Sequence, residues 1–275
     1  MNLPAIIFAV FAAVLGVLLA NSRALLPDYM LAERFARNGI LKGQGFPDAD
    51  APAAFVARLK ARERIAAIAS AVAVVPAIAA VVRLPEPTMA FPLMVSVAFT
   101  ARIVMLAVLG AREALQGDGG RRISRGRVVT LTDLVPAWAV AVLVGVQVLF
   151  VAAATLLVSG PAWQPWALGA SLVLTAGAVA LAAWLARQPQ RAEDAVALAW
   201  SDAMRREDVV LLLALGPLVA MMVGALLLGF ETQGPTGVVV WANFVVVAVA
   251  AAVADAASRR RGARLVTREF ADADR

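Results

Sequence analysis

At 275 residues the chain has the length of one or two soluble domains, yet 62% of it is hydrophobic, 16% is charged and its mean hydropathy is +0.82. That is bilayer composition and not soluble usage. With no cysteine and no histidine, the chain has no thiol nucleophile, disulfide, imidazole base, haem ligand or ordinary zinc site, and no cofactor or metal is expected. The net charge of +6 and pI near 11.0 come from charges that lie between apolar stretches and form no patch, so no nucleic-acid partner is expected. Lys42 and Lys60 are the only lysines, and the weight of arginine, alanine and valine resembles the usage of a GC-rich bacterial genome.

About 20 apolar residues in helical form cross a hydrocarbon core of roughly 30 Å. Seven stretches meet that length, and because the runs are continuous and do not alternate they predict helices and not barrel strands. The first covers 3–20. A cleaved signal peptide is its competitor, but the stretch has no basic start, and cleavage would export the basic residues that follow, Arg23 to Arg64. The second covers 65–82, with Asp50 as an N-cap and Pro52 in the first turn of a helix that starts ahead of the membrane. The third covers 88–110 and contains Pro92 and Arg102. The fourth covers 134–158 and contains Gln147, and the fifth covers 163–186. Ahead of the sixth, 209–230, residues 192–206 predict a separate helix with Val196, Trp200 and Met204 on one face, lying on the membrane, on a partner or on the protein's own helix ends. The seventh covers 237–257 and contains Asn243 and Asp255.

The connectors alternate in kind. Residues 83–87, 159–161 and 231–236 are short and nearly uncharged, whereas 21–64, 111–133 and 187–208, with the tail 258–275, are basic. Every lysine and arginine except Arg83 and Arg102 falls in that second group, out of 25 in all. Basic loops near spans stay in the cytoplasm. The pattern therefore predicts a single all-α transmembrane domain over 1–275, a polytopic helix bundle of seven spans, with the N-terminus outside and the C-terminus cytoplasmic, in a bacterial cytoplasmic membrane. Trp163, Trp166 and Trp241 fall at its outer edge and Trp138 and Trp184 at its inner edge, where amphipathic rings anchor at headgroup level.

Arg102 is the residue that most needs explaining, because a charge at that depth costs about 2.5 to 3.5 kcal/mol unless paired or wet. The depth of Asp255 suits an Arg102–Asp255 pair, with Gln147 and Asn243 completing a polar seam. As a structural tether this needs only a partner; as part of a solute path it needs water. Proton coupling is disfavoured, since a relay calls for a chain of carboxylates or histidines at depth. A retinal Schiff base is excluded, because both lysines lie in the first basic connector. Histidine-dependent intramembrane proteases are excluded, and no phosphate-binding GxxxxGK[ST] loop occurs. The starts "RERIAAIA" at Arg62 and "REDVVLLL" at Arg206 are alike, but Pro76 and Pro217 fall at different offsets, which argues against a duplication.

The stretches "RRISRGRVVTLTDLVPAW" from Arg121 and "SDAMRRED" from Ser201 resemble segments of multi-pass membrane proteins of actinobacteria. The resemblance covers about a tenth of the chain and implies no activity and no catalytic residue; it implies a shared structural role for Asp133, Asp202, Ala203 and Arg205 at helix starts. The expected function is that of a non-enzymatic accessory or regulatory membrane subunit. Its partners are the lipid bilayer and a membrane protein docked through the connectors around 34–64 and 192–206. A small transporter or permease component for an anionic or polar solute is the alternative.

Overall fold

The computed structural model describes residues 3–27, 30, 53–82, 90–115, 129–157, 164–188, 195–230 and 249. Among the described residues there are seven helices and no strand: α1 (Leu3–Ala20), α2 (Ala53–Val81), α3 (Ala90–Leu115), α4 (Leu131–Leu134), α5 (Ala137–Leu157), α6 (Gln164–Arg187) and α7 (Ala195–Phe230). They cover the first six expected apolar stretches; the seventh, 237–257, lies outside the described residues apart from position 249, which is helical. Among the described residues two helices are long and apolar enough to cross a membrane, α3 over Leu93–Glu113 and α6 over Pro165–Arg187, while the apolar parts of α1 (Ile6–Ala20) and α5 (Ala137–Ala153) are shorter.

Two of the expected elements are divided differently in the structure. The stretch 134–158 is not one helix: Pro136 disfavours helical backbone at the residue before it, so Val135 is extended (φ −128°, ψ 132°), α4 stops at Leu134 and α5 restarts at Ala137. The expected pair of a connector helix over 192–206 and a span over 209–230 is a single 36-residue helix, α7, because Glu207 and Asp208 continue the helical pattern. Pro92 falls in the first turn of α3, where a missing N–H costs nothing. The second helix does start well ahead of its apolar stretch, at Ala53; Asp50 and Pro52 lie outside the described residues.

The third helix is the hub. One end of it packs Leu93, Met94 and Ala98 against α1 and α2, in a cluster with Ala9, Ala12, Ala13, Ala20 and Val74. The other end sends Ile103 and Ala107 into a larger cluster built from α4, α5, α6 and α7, around Val135, Leu168, Ala182, Val209 and Leu212. Small residues let α1 come close: a Cβ on Gly16 would sit 3.1 Å from the Val95 nitrogen and 3.2 Å from the Met94 carbonyl group, both backbone atoms of α3. Ser70 on α2 bridges to α3, its hydroxyl shared between Ala66 O on its own helix (3.0 Å) and Ala98 O (2.9 Å). The outer faces are apolar, with Phe11, Ile68, Val72, Leu149, Trp166 and Val173 all exposed.

Candidate functional site

The described residues place their buried charges together, where α2, α3 and α7 meet the end of α1. The local reason is periodicity. Along α2 the buried residues are Phe55, Leu59, Arg62, Glu63, Ala66, Ser70 and Val74, a stripe at steps of three and four that faces the neighbouring helices. Arg62 and Glu63 both belong to that stripe. Successive residues turn by 100° on a helix, so the two side chains reach different partners while Arg64 is exposed.

Glu63 takes Arg102. The guanidinium of Arg102 on α3 donates from its Nη2 to Glu63 Oε1 at 2.8 Å, and the same nitrogen lies 2.6 Å from Oε2 as an ion-pair contact. Its Nη1 donates to Asn21 Oδ1 at 3.2 Å, and Asn21, just past the end of α1, donates in turn to Val17 O at 2.9 Å. Arg102 is 4% exposed and Glu63 3%, so the pair is dry. Both ions are desolvated, and the contact holds only because each has a charged partner.

Arg62 takes Asp208. Its Nη2 faces both carboxylate oxygens of Asp208 on α7, at 2.9 Å and 2.7 Å, and lies 3.2 Å from the Leu106 carbonyl of α3. Its Nη1 touches the Met204 sulfur and lies 3.7 Å from Glu113 Oε2 at the open end of α3. This is one nitrogen shared between two oxygens, not the two-nitrogen fork of the strongest arginine–carboxylate pairs. Gly110 makes room for the carboxylate, since a Cβ there would sit 3.0 Å from Asp208 Oδ2. Burial pushes the Asp208 carboxyl up to about 6; Arg62 pulls it down, and Glu113 and Glu63 add to the rise. Burial opposes the charge on Arg62, but Asp208, Glu113 and Glu63 outweigh it and raise its pKa.

The surroundings are tied to the same helix. Arg23, beyond α1, pairs with Glu207 on α7. Arg205 donates to Ala186 O at 3.0 Å and to Gln188 O, capping the carbonyl end of α6 with a positive charge. Asp133 does the converse at the start of α4, accepting from the Thr130 N–H at 2.8 Å and its hydroxyl at 2.7 Å. Asp202 and Ala203 are buried. Trp200 packs against Phe55 with ring centroids 5.0 Å apart, so Trp200 and Met204 face the protein's own helix ends. The side chain of Val196 lies outside the described residues.

Of the four residues of the expected seam, Arg102 is buried and meets Glu63. Gln147 bonds elsewhere, donating to Ser171 Oγ of α6 at 3.0 Å. Asp255 and Asn243 lie outside the described residues. The residues that meet Arg102, Glu63 and Asn21, were missed because both flank an apolar stretch and read as connector. The stripe through Leu59, Ala66 and Ser70 was the signal that included Glu63. Among the described residues no group of three acidic side chains is set to hold a metal ion. No protein-family model matches the chain, and no curated protein or solved structure matches it either.

Proposed function

We propose that the chain is a seven-span bundle of a bacterial cytoplasmic membrane, N-terminus outside and C-terminus inside, that serves as a non-enzymatic accessory or regulatory subunit. The observation that carries the functional part is the dry contact between Arg102 and Glu63. A solute path needs its deep charge wet or free to change partner; a tether between helices needs it matched and sealed. The membrane part is supported by the apolar outer faces, which in water would be a large unpartnered surface, and by exposed Trp138, Trp166 and Trp184 near helix ends. The basic connector around 34–64 is the docking face for a membrane partner; the other expected face, 192–206, turns Trp200 and Met204 onto the protein's own helices.

A small transporter or permease component for an anionic or polar solute is the second reading. Ser96 Oγ, Thr100 Oγ1 and Gln147 Oε1 favour it, being buried inside helices without a hydrogen-bond partner among the described residues. One pair of experiments separates the two. The full chain, crosslinked in its native membrane and purified in mild detergent, is expected to carry a stoichiometric larger membrane protein, and alone in liposomes it is expected to leave solute flux at the background of empty vesicles. Flux above background by the chain alone, abolished by Gln147→Ala, would replace the accessory role with the transporter.

A further inference from the structure

Arg62 lies between two carboxylates of unlike surroundings. Asp208, on α7, is buried against Gly110, and both its oxygens are within 2.9 Å of Arg62 Nη2. Glu113, on α3, has a side chain 39% exposed and lies 3.7 Å from Arg62 Nη1. The arginine needs no backbone movement to favour one or the other; rotation about its long side chain suffices. We propose that Arg62 is a two-position latch, held on α7 by ionised Asp208 and released to Glu113 on α3 when Asp208 takes up a proton. This goes beyond the accessory reading and stands on the described helices alone.

The charged groups around the joint leave room for this exchange. On α2 they are Arg62 and Glu63, the latter committed to Arg102 of α3. On α3, Glu113 faces the joint. On α7, Arg206 and Glu207 flank Asp208, and Glu207 is paired to Arg23 from beyond α1. The sixth helix meets this part of α7 through Leu185 and Ala186 and through the bonds of Arg205 to its last carbonyls. The fourth and fifth helices contribute Leu134, Ala139 and Leu143, and Asp133 of α4 is taken by Thr130. Neutral Asp208 loses its charge-assisted bonds to Arg62, while the Glu113 carboxylate at the solvent edge, 3.7 Å from Arg62 Nη1, attracts the released cation. Burial raises the Asp208 carboxyl to about 6, which puts the exchange in a range bacteria meet.

The test is an infrared titration of the full chain in lipid nanodiscs, following the carboxylic-acid C=O band, together with amide hydrogen exchange of α3 and α7 on either side of the midpoint. A band titrating near pH 6 is expected, with faster exchange around Leu106 and Met204 below it once intrinsic pH effects are removed. Asp208→Asn should lose the band and show the faster exchange at both pH values. Glu113→Gln changes only a half-exposed side chain and should keep the fold; it should lower the midpoint by about half a pH unit or more, since Arg62 then has nowhere to go. A band that survives Asp208→Asn, a midpoint indifferent to Glu113→Gln, or exchange unchanged across the midpoint would each overturn the latch.

Discussion

At Arg102 the energetics of a buried ion pair lead to an asymmetric expectation. Removing one member leaves the other charged and desolvated, at a cost of about 3–5 kcal/mol, whereas replacing both with apolar residues of similar volume is close to neutral. Arg102→Met and Glu63→Met are therefore each expected to lower thermal stability in detergent sharply, and the double variant to recover most of the loss. Additive losses would mean that the two side chains do not interact. Gly16 gives a second expectation of the same scale. A methyl group placed 3.1 Å from the α3 backbone has no flexible side chain to push aside, so Gly16→Ala should cost about 1–3 kcal/mol as overpacking. Gly145→Ala, whose Cβ meets nothing within 4 Å, should instead gain about 0.5–1 kcal/mol of helix propensity. Unfolding midpoints of the two variants in one detergent check the contrast.

The long helices α2 and α7 carry the charges that hold the bundle, and Asp208 makes their junction depend on pH. Its carboxyl is raised from the ordinary 3.8 to about 6 by burial, so the folded chain binds that proton more tightly than the unfolded chain. Its contribution to global stability, measured against the unfolded chain, is fully present below pH 3.8 and is lost as the pH rises through about 6, whereas the latch moves Arg62 within the folded chain, where protonated Asp208 stays buried. Asp208→Asn should flatten the part of the stability profile between those values, read as the slope of the unfolding midpoint against pH; a slope unchanged in the variant would show that another group sets it. How much of this was legible depends on the kind of signal. Apolar run length placed α1 at its observed bounds and put α6 within a residue, since the only charged extension of either is Arg187 in the last turn of α6. It misplaced the start of α7 and split off its first turns, since a window average reads Asp202 to Asp208 as connector whereas the helix treats them as a continuation with its own buried stripe. The same averaging hid Glu63 from Arg102. The capping roles of Arg205 and Asp133 were expected only as something structural, because which carbonyl a cation reaches is settled by packing between distant helices.

For the molecule as a whole, the two faces of the charge pattern have to agree with the two ends of the bundle. The inner end, on the proposed topology, holds the ion pairs, the exposed Arg58, Arg64 and Arg112, and the capped end of α6. A chain without cysteine lets single introduced thiols report which side each end occupies. Leu115, at the last turn of α3, and Trp166, in the first turn of α6, are 73% and 82% exposed and pack against little, so cysteine at either position should leave the fold intact. In intact cells an impermeant maleimide is expected to label Trp166→Cys and to reach Leu115→Cys only after the membrane is opened. The reason is the cost of moving a cluster of arginines across a bilayer against the retention of basic loops. The two sites lie on either side of the fourth stretch, so like labelling at both would remove that crossing. The reverse pattern would invert the orientation and turn the basic connectors, with any partner docked on them, to the outside.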